Sequence, residues 1–253
     1  MFNYGLKLWS INENYLPIAK SLYASGLYNY IELYAFPGSY EKLITAWKSL
    51  DIPFIVHAPH WRDGINLASK KDKEKNLFLI KEAQKYADSL CADKIIVHPG
   101  IAGDIKETMR QLREINDDRI LIENKPYYAL DNGLICNGTT PEEIKFVMLE
   151  TGVGFCFDIG HGICSGNGHK VEPYGFIADF LTLNPAMYHL SDGGSSDFHD
   201  QHKHLGFGNY DFGRILSLLP PDAIITVETV KDSSANLDDF IRDINYLRKY
   251  EGN

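Results

Sequence analysis

Short apolar runs alternate with longer amphipathic segments along the whole chain. The runs predict strands near residues 3–9, 29–34, 53–57, 94–98, 119–123, 154–158, 186–190 and 223–229. Helical segments are expected between them near 12–25, 39–50, 70–91, 104–115, 140–150, 173–183, 210–218 and 234–250. The clearest is 70–91, where Leu77, Ile80, Ala83, Ala87 and Leu90 recur at helical spacing among lysines and acids. Thr140-Pro141-Glu142-Glu143 reads as a helix start: a capping hydroxyl, a proline at the first position and acids in the first turn. Eight strands alternating with eight helices predict parallel crossovers and an α/β fold closed as a (β/α)8 TIM barrel. No linker, low-complexity tract or charge block interrupts the alternation, so residues 1–253 are expected to form one domain.

Six of the apolar runs end in a residue type that binds metals. Phe54-Ile-Val ends in His57, Ile95-Ile-Val in His98, Ile120-Leu-Ile in Glu123 and Phe155-Cys-Phe in Asp158, with His161 three residues later. Met187-Tyr ends in His189 and Ile225-Thr-Val in Glu228. Active sites of such barrels lie at the carboxyl ends of the strands, where all of these residues fall. A lone histidine at a strand end is usually structural, but carboxylates converging on one opening repel one another unless cations neutralise them. The long segment after the seventh strand carries Asp192, Asp197, His199, Asp200, His202 and His204. Asp200 and His202 alternate on it, so both can reach one ion.

Together these are nine candidate ligands, too many for one tetrahedral zinc, so two or three ions are expected. Mixed imidazole and carboxylate ligation suits Zn2+, with Mn2+ or Fe2+ as alternatives at some sites. The chain carries a net charge of −9 at neutral pH, which by itself argues against an electrostatic nucleic-acid footprint. Three divalent ions would bring it to about −3 and leave the pocket attractive to anions, a phosphoester above all.

The four cysteines, Cys91, Cys136, Cys156 and Cys164, include no C-x-x-C pair, so a reduced compartment is the simplest expectation. The first residues lack the basic-then-apolar pattern of an export signal, and no apolar run approaches ~20 residues. A cytoplasmic protein without a membrane span or an obligate protein partner is expected.

These motifs resemble the endonuclease IV family of the xylose isomerase-like barrels. The resemblance rests on FIVHAP, IIVHPG, ILIEN, FDIGH, YHLSD, DQHKHLGFGN and ITVET, and covers nearly the whole chain. It implies that His57, His98 and Glu123 hold one zinc. Glu123 then bridges to a second, completed by Asp158, His189 and Glu228, and His161, Asp200 and His202 hold a third. It further implies hydrolysis at phosphorus by a hydroxide shared between two ions, with Glu123, Glu228 and His161 as catalytic residues. The implied reaction is cleavage 5′ to an abasic site in duplex DNA.

A second reading is a sugar or sugar-phosphate isomerase or epimerase. It needs one Mn2+ or Mg2+ on Glu123, Asp158, His189 and Glu228, with the two glutamates moving a proton. Glu32, in YIELY, suits that reading; His57, His98, Asp200 and His202 have no task in it. A non-catalytic binding module is a weaker third reading. Arg62, Lys125, Lys170 and Lys203 are candidate phosphate contacts, and Tyr34, Phe36, Tyr40, Trp61, Tyr127, Tyr128 and Phe207 candidate stacking residues. Gly160, Gly162, Gly166 and Gly168 read as turn residues near the ions. Cys156 and Cys164 read as packing residues.

Overall fold

Strand parity decides how this chain packs. In β6 (Gly154–Asp158), Phe155 and Phe157 face outward and meet Phe180 of α7 (Pro173–Leu181), with ring centroids 6.0 and 5.1 Å away. Cys156 and Asp158, on the alternate positions, face inward. In the computed structural model, which describes residues 1–130 and 133–251, the same rule repeats around a closed barrel.

The remaining strands are β1 Asn3–Trp9, β2 Tyr30–Tyr34, β3 Phe54–His57, β4 Ile95–Val97, β5 Ile120–Glu123, β7 Met187–Leu190 and β8 Ile224–Val227. They pair in parallel in chain order, and β8 closes on β1. The expected fold class is therefore observed. Inside the barrel, Tyr30, Ile55, Ile96, Leu121, Cys156 and Met187 form one apolar layer, one residue per strand. Cys156 takes the packing role expected of it.

The helices outside are α1 Leu16–Ala24, α2 Tyr40–Lys48, α3 Lys73–Leu90, α4 Ile105–Ile115, α5 Pro141–Thr151, α6 Ile159–His169, α7, α8 Phe212–Ser217 and α9 Asp238–Arg248. Thr140 caps α5, its hydroxyl accepting from the Glu143 N–H, as the motif predicted. Several expected helices are shorter than the apolar pattern suggested, α1, α8 and α9 most of all. Residues 210–211 are spent on the start of α8, where the Asp211 side chain accepts from the Arg214 N–H. The stretch before α9 is turn until Asp238. Among the described residues no helix is long and apolar enough to cross a membrane.

The largest departure from the sequence reading is α6. The glycines at 160, 162, 166 and 168 were expected in turns, but all lie in this helix. They are there for close packing. A Cβ on Gly160 would sit 3.1 Å from Asp200 Oδ2, and one on Gly168 would sit 2.3 Å from the Tyr127 Cβ. The helix penalty of glycine, about 1 kcal/mol each, is offset by docking α6 directly against neighbouring loops. Asp158 starts this helix, its Oδ1 accepting from the His161 N–H at 2.6 Å.

Candidate metal centre

The centre follows from the parity of the layer beneath it. Two residues beyond Tyr30, Ile55, Ile96, Leu121, Cys156 and Met187 stand Glu32, His57, His98, Glu123, Asp158 and His189, all facing the same interior. Lys7 on β1 pairs in register with Glu32, and Glu228 follows the end of β8.

Glu123, 1% exposed, is the hub. Its Oε2 lies 3.2 Å from both His57 Nε2 and His98 Nε2 and 3.5 Å from His189 Nδ1. His189 Nδ1 also faces Glu228 Oε2 at 2.9 Å and Asp158 Oδ2 at 3.9 Å. A third group, His161, Asp200 and His202, offers ligand atoms within 4.8 Å of one another, as do His57, His98 and Glu123. The structure thus brings together all nine residues singled out in the sequence.

The histidines are set in the tautomers that metal binding needs. His57 Nδ1 donates to the Ala58 carbonyl at 2.6 Å, and His202 Nδ1 to the Glu228 carbonyl at 3.0 Å. His161 Nδ1 lies 2.9 Å from the Asn124 carbonyl oxygen. His189 Nε2 lies 2.8 Å from Glu32 Oε2. In His57, His161, His189 and His202 the outer nitrogen is engaged, which leaves the other to bind a cation once any proton on it is lost. His189 Nδ1, Asp200 Oδ2 and Glu228 Oε2 are buried without a hydrogen-bond partner. Buried polar atoms without partners are costly; here the first and last face each other, and Asp200 Oδ2 faces His161 and His202. This donor set fits metal ions. Cys156, in the apolar layer beneath, also has its sulfur within reach of Glu123 and His189, and burial pushes its thiol up to about 12.

Two charged residues of the centre were not understood from the sequence. Glu32 is fully buried and accepts from Thr226 Oγ1 at 2.6 Å as well as facing His189. It therefore orients His189 from behind. Lys7 Nζ lies 2.6 Å from Glu228 Oε1 and 3.1 Å from Glu32 Oε1. Burial opposes the charge on Lys7, yet the carboxylates of Glu228 and Glu32 hold it above the ordinary lysine value. Lys7 had no sequence signal, because a lysine within a strand usually points to solvent. Only the β1–β2 register turns it inward.

The acids and histidines of the β7 loop divide into ligands and braces. Asp192 Oδ2 accepts from the Gly206 and Gly208 N–H groups, both at 2.9 Å. His204 is held between Asp243 at 2.8 Å and Asp232 at 2.9 Å. These contacts fix the segment that presents Asp200 and His202.

Above the centre opens a cavity of about 760 Å3. Of the loop residues flagged in the sequence, Tyr34, Trp61, Arg62, Lys125 and Tyr128 line it. Tyr34 is buried between Trp9 and His57, at ring separations of 5.5 and 5.4 Å, and its hydroxyl donates to Asp63. Phe36, Tyr40, Tyr127, Phe207, Lys170 and Lys203 do not line the cavity. Tyr40 packs on Tyr86, Tyr127 on His169 and Phe207 under Arg242.

Proton and metal must compete here. Burial raises Asp158 to about 6. Burial opposes the charge on His189, but Glu32 and Glu228 hold it well above the usual histidine value. Binding an ion must strip both protons, so affinity rises with pH. Dialysis against zinc is expected to give falling metal content as pH drops through about 6, with proton release on binding visible by calorimetry in two buffers. Metal content independent of pH between about 5 and 8 would contradict these ligands.

Fold and site define a (β/α)8 barrel with three adjoining candidate metal-ligand groups at the carboxyl ends of its strands. The chain belongs to the xylose isomerase-like TIM barrel family, whose model matches residues 22–250. A probable endonuclease 4 of Mycobacterium leprae is 25% identical over 215 residues, 80% of each chain. The barrel is also similar to endonuclease IV from Thermus thermophilus, with 19% identity, a TM-score of 0.72 and 98% of both chains covered. A D-tagatose 3-epimerase-like protein is 22% identical, with a TM-score of 0.72 and 98% of this chain and 96% of that one covered. Enzymes of both chemistries thus share the fold.

Proposed function

We propose that this protein is a zinc-dependent hydrolase of phosphoester bonds, resembling endonuclease IV. The observation that carries the reading is the preparation of His57, His98, Asp200 and His202 beside the other ligands. A one-ion isomerase centre has no use for them, yet His57 and His202 have their outer nitrogens engaged and Asp200 Oδ2 is buried without a partner. His57, His98 and Glu123 would hold one ion, Glu123, Asp158, His189 and Glu228 a second, and His161, Asp200 and His202 a third. Bound there, the ions would polarise a phosphoester and lower the pKa of water.

The chain's own residues do the rest. Glu123 and Glu228 orient the reacting groups, and Glu32 keeps His189 from rotating. Lys125, whose Nζ lies 3.4 Å from His161 Nε2, would place a positive charge beside a phosphoester bound over the centre. Water adds to phosphorus, the ester P–O bond breaks, and the alcohol leaves with a proton. Abasic DNA, cut on the 5′ side, is the substrate that the endonuclease IV resemblance brings forward.

A second reading, sugar isomerisation or epimerisation, is favoured by the convergence of Glu123 and Glu228 on His189. Against it, Lys7 at 2.6 Å helps hold Glu228 well below the usual carboxylate range, although burial opposes this. A proton-transfer carboxylate works best with a pKa near the working pH. The test is turnover of bis(4-nitrophenyl) phosphate by zinc-loaded protein in 18O-labelled water. The expected result is chelator-sensitive hydrolysis with the label in the phosphate product. Metal-loaded protein that cleaves no phosphoester but interconverts ketohexoses would overturn the reading.

A further inference from the structure

We infer that the substrate is a small phosphoester of sugar-phosphate to nucleotide size, held in a preformed aromatic cavity, and not a duplex. The inference rests on the hydrolase reading and concerns what that centre accepts.

The cavity's volume of about 760 Å3 falls within the range of about 300–1,000 Å3 typical of small-molecule sites. Its wall is built before any ligand arrives. Trp61, from the loop after β3, packs on Ile101, from the loop after β4, and on Ala129 and Cys136. The last two lie on the arms of a hairpin after β5, tied by Cys136 N–H to the Tyr127 carbonyl at 3.0 Å and Ala129 N–H to the Leu134 carbonyl at 2.9 Å. Ile101 and Cys136 are themselves bridged through their backbones. The hairpin then reaches the β7 loop, where Tyr128 meets Phe198 at 5.9 Å. The loops after β3, β4, β5 and β7 thus support one another over the centre.

The mouth has the wrong chemistry for a nucleic-acid backbone. Duplex binding depends on a series of cations placed against successive phosphates. Here Trp9, Leu130 and Val230 line the opening and are 45%, 62% and 50% exposed. Among the described residues the cations that line the cavity are Lys7, Arg62, Lys125 and Lys231, and of these only Arg62 is exposed. Lys7 is 9% exposed among the carboxylates, and Lys125 lies beside His161. Charge concentrated at the floor and aromatic surface at the wall and rim suit one phosphate carrying one flat or ring-shaped organic group.

The experiment compares two probes on zinc-loaded protein at physiological salt. One is thymidine 5′-(4-nitrophenyl phosphate); the other is a short duplex with one tetrahydrofuran abasic analogue. Binding of thymidine 5′-monophosphate is followed separately by quenching of Trp9 and Trp61. Trp47, fully buried, gives a constant background. The expected result is turnover of the nucleoside ester with no nick in the duplex. The affinity for thymidine 5′-monophosphate, measured by calorimetry, should weaken about 10-fold in Trp61→Ala and in Trp9→Ala. Because Trp61 braces the loops and Trp9 packs on Tyr34, both variants are checked for folding by circular dichroism and for retained zinc. A nicked duplex with the small ester untouched would overturn this inference and leave the hydrolase reading standing. Ion-loaded protein that turns over neither probe would remove the hydrolase reading itself.

Discussion

Glu123→Gln is expected to remove two ions together, taking the metal content from about three per chain to about one. Glu123 is the residue that His57, His98, His161 and His189 all face, at 3.1–3.5 Å. The amide keeps the shape but has one ligand oxygen instead of two and no charge, so it cannot serve two cations. The ligand group of His161, Asp200 and His202 does not contain Glu123 and should keep its ion. Elemental analysis of folded, zinc-equilibrated variant measures this directly. Loss of a single ion would contradict the shared carboxylate.

His57→Ala is expected to lower phosphoester hydrolysis by about 100-fold or more, since removing even an outer-shell partner of a metal ligand costs about 10–100-fold. His57 is 1% exposed, ends β3 and belongs with His98 and Glu123 to a ligand group of which an isomerase centre would use Glu123 alone. Steady-state kinetics with bis(4-nitrophenyl) phosphate, beside a circular-dichroism check of folding, decides the matter. Full activity in the variant would give the hydrolysis to the group of Glu123, Asp158, His189 and Glu228 and leave His57 without a part in it.

Much of this centre was legible in the sequence because a barrel strand carries its own coordinates. A buried run of four residues, such as Ile120–Glu123, announces its inward parity by its final polar residue. Six such runs named six positions. The β7 loop ligands were legible through the alternation of Asp200 and His202. What escaped had one cause in common: it depended on partners distant in sequence. Lys7 reads as solvent-facing until β1 is laid beside β2. Glu32 suited the isomerase reading, whereas the fold sets it against the outer nitrogen of His189. The glycines of α6 signalled turns locally, but the close approach of Asp200 and Tyr127, more than thirty residues away, makes them helical. His204, on the same loop as Asp200 and His202, is enclosed by Asp232 and Asp243 from the far end of the chain.

The chemistry follows from occupancy. A one-ion centre and a three-ion centre are built from overlapping residues on the same strand ends, and only the ions distinguish them. The decisive measurement is anomalous diffraction at the zinc edge from crystals of zinc-loaded protein. The expected result is three peaks: two flanking Glu123, and one among His161, Asp200 and His202. A single peak among Glu123, Asp158, His189 and Glu228, with no density at His57, His98 or His202, would contradict the hydrolytic centre.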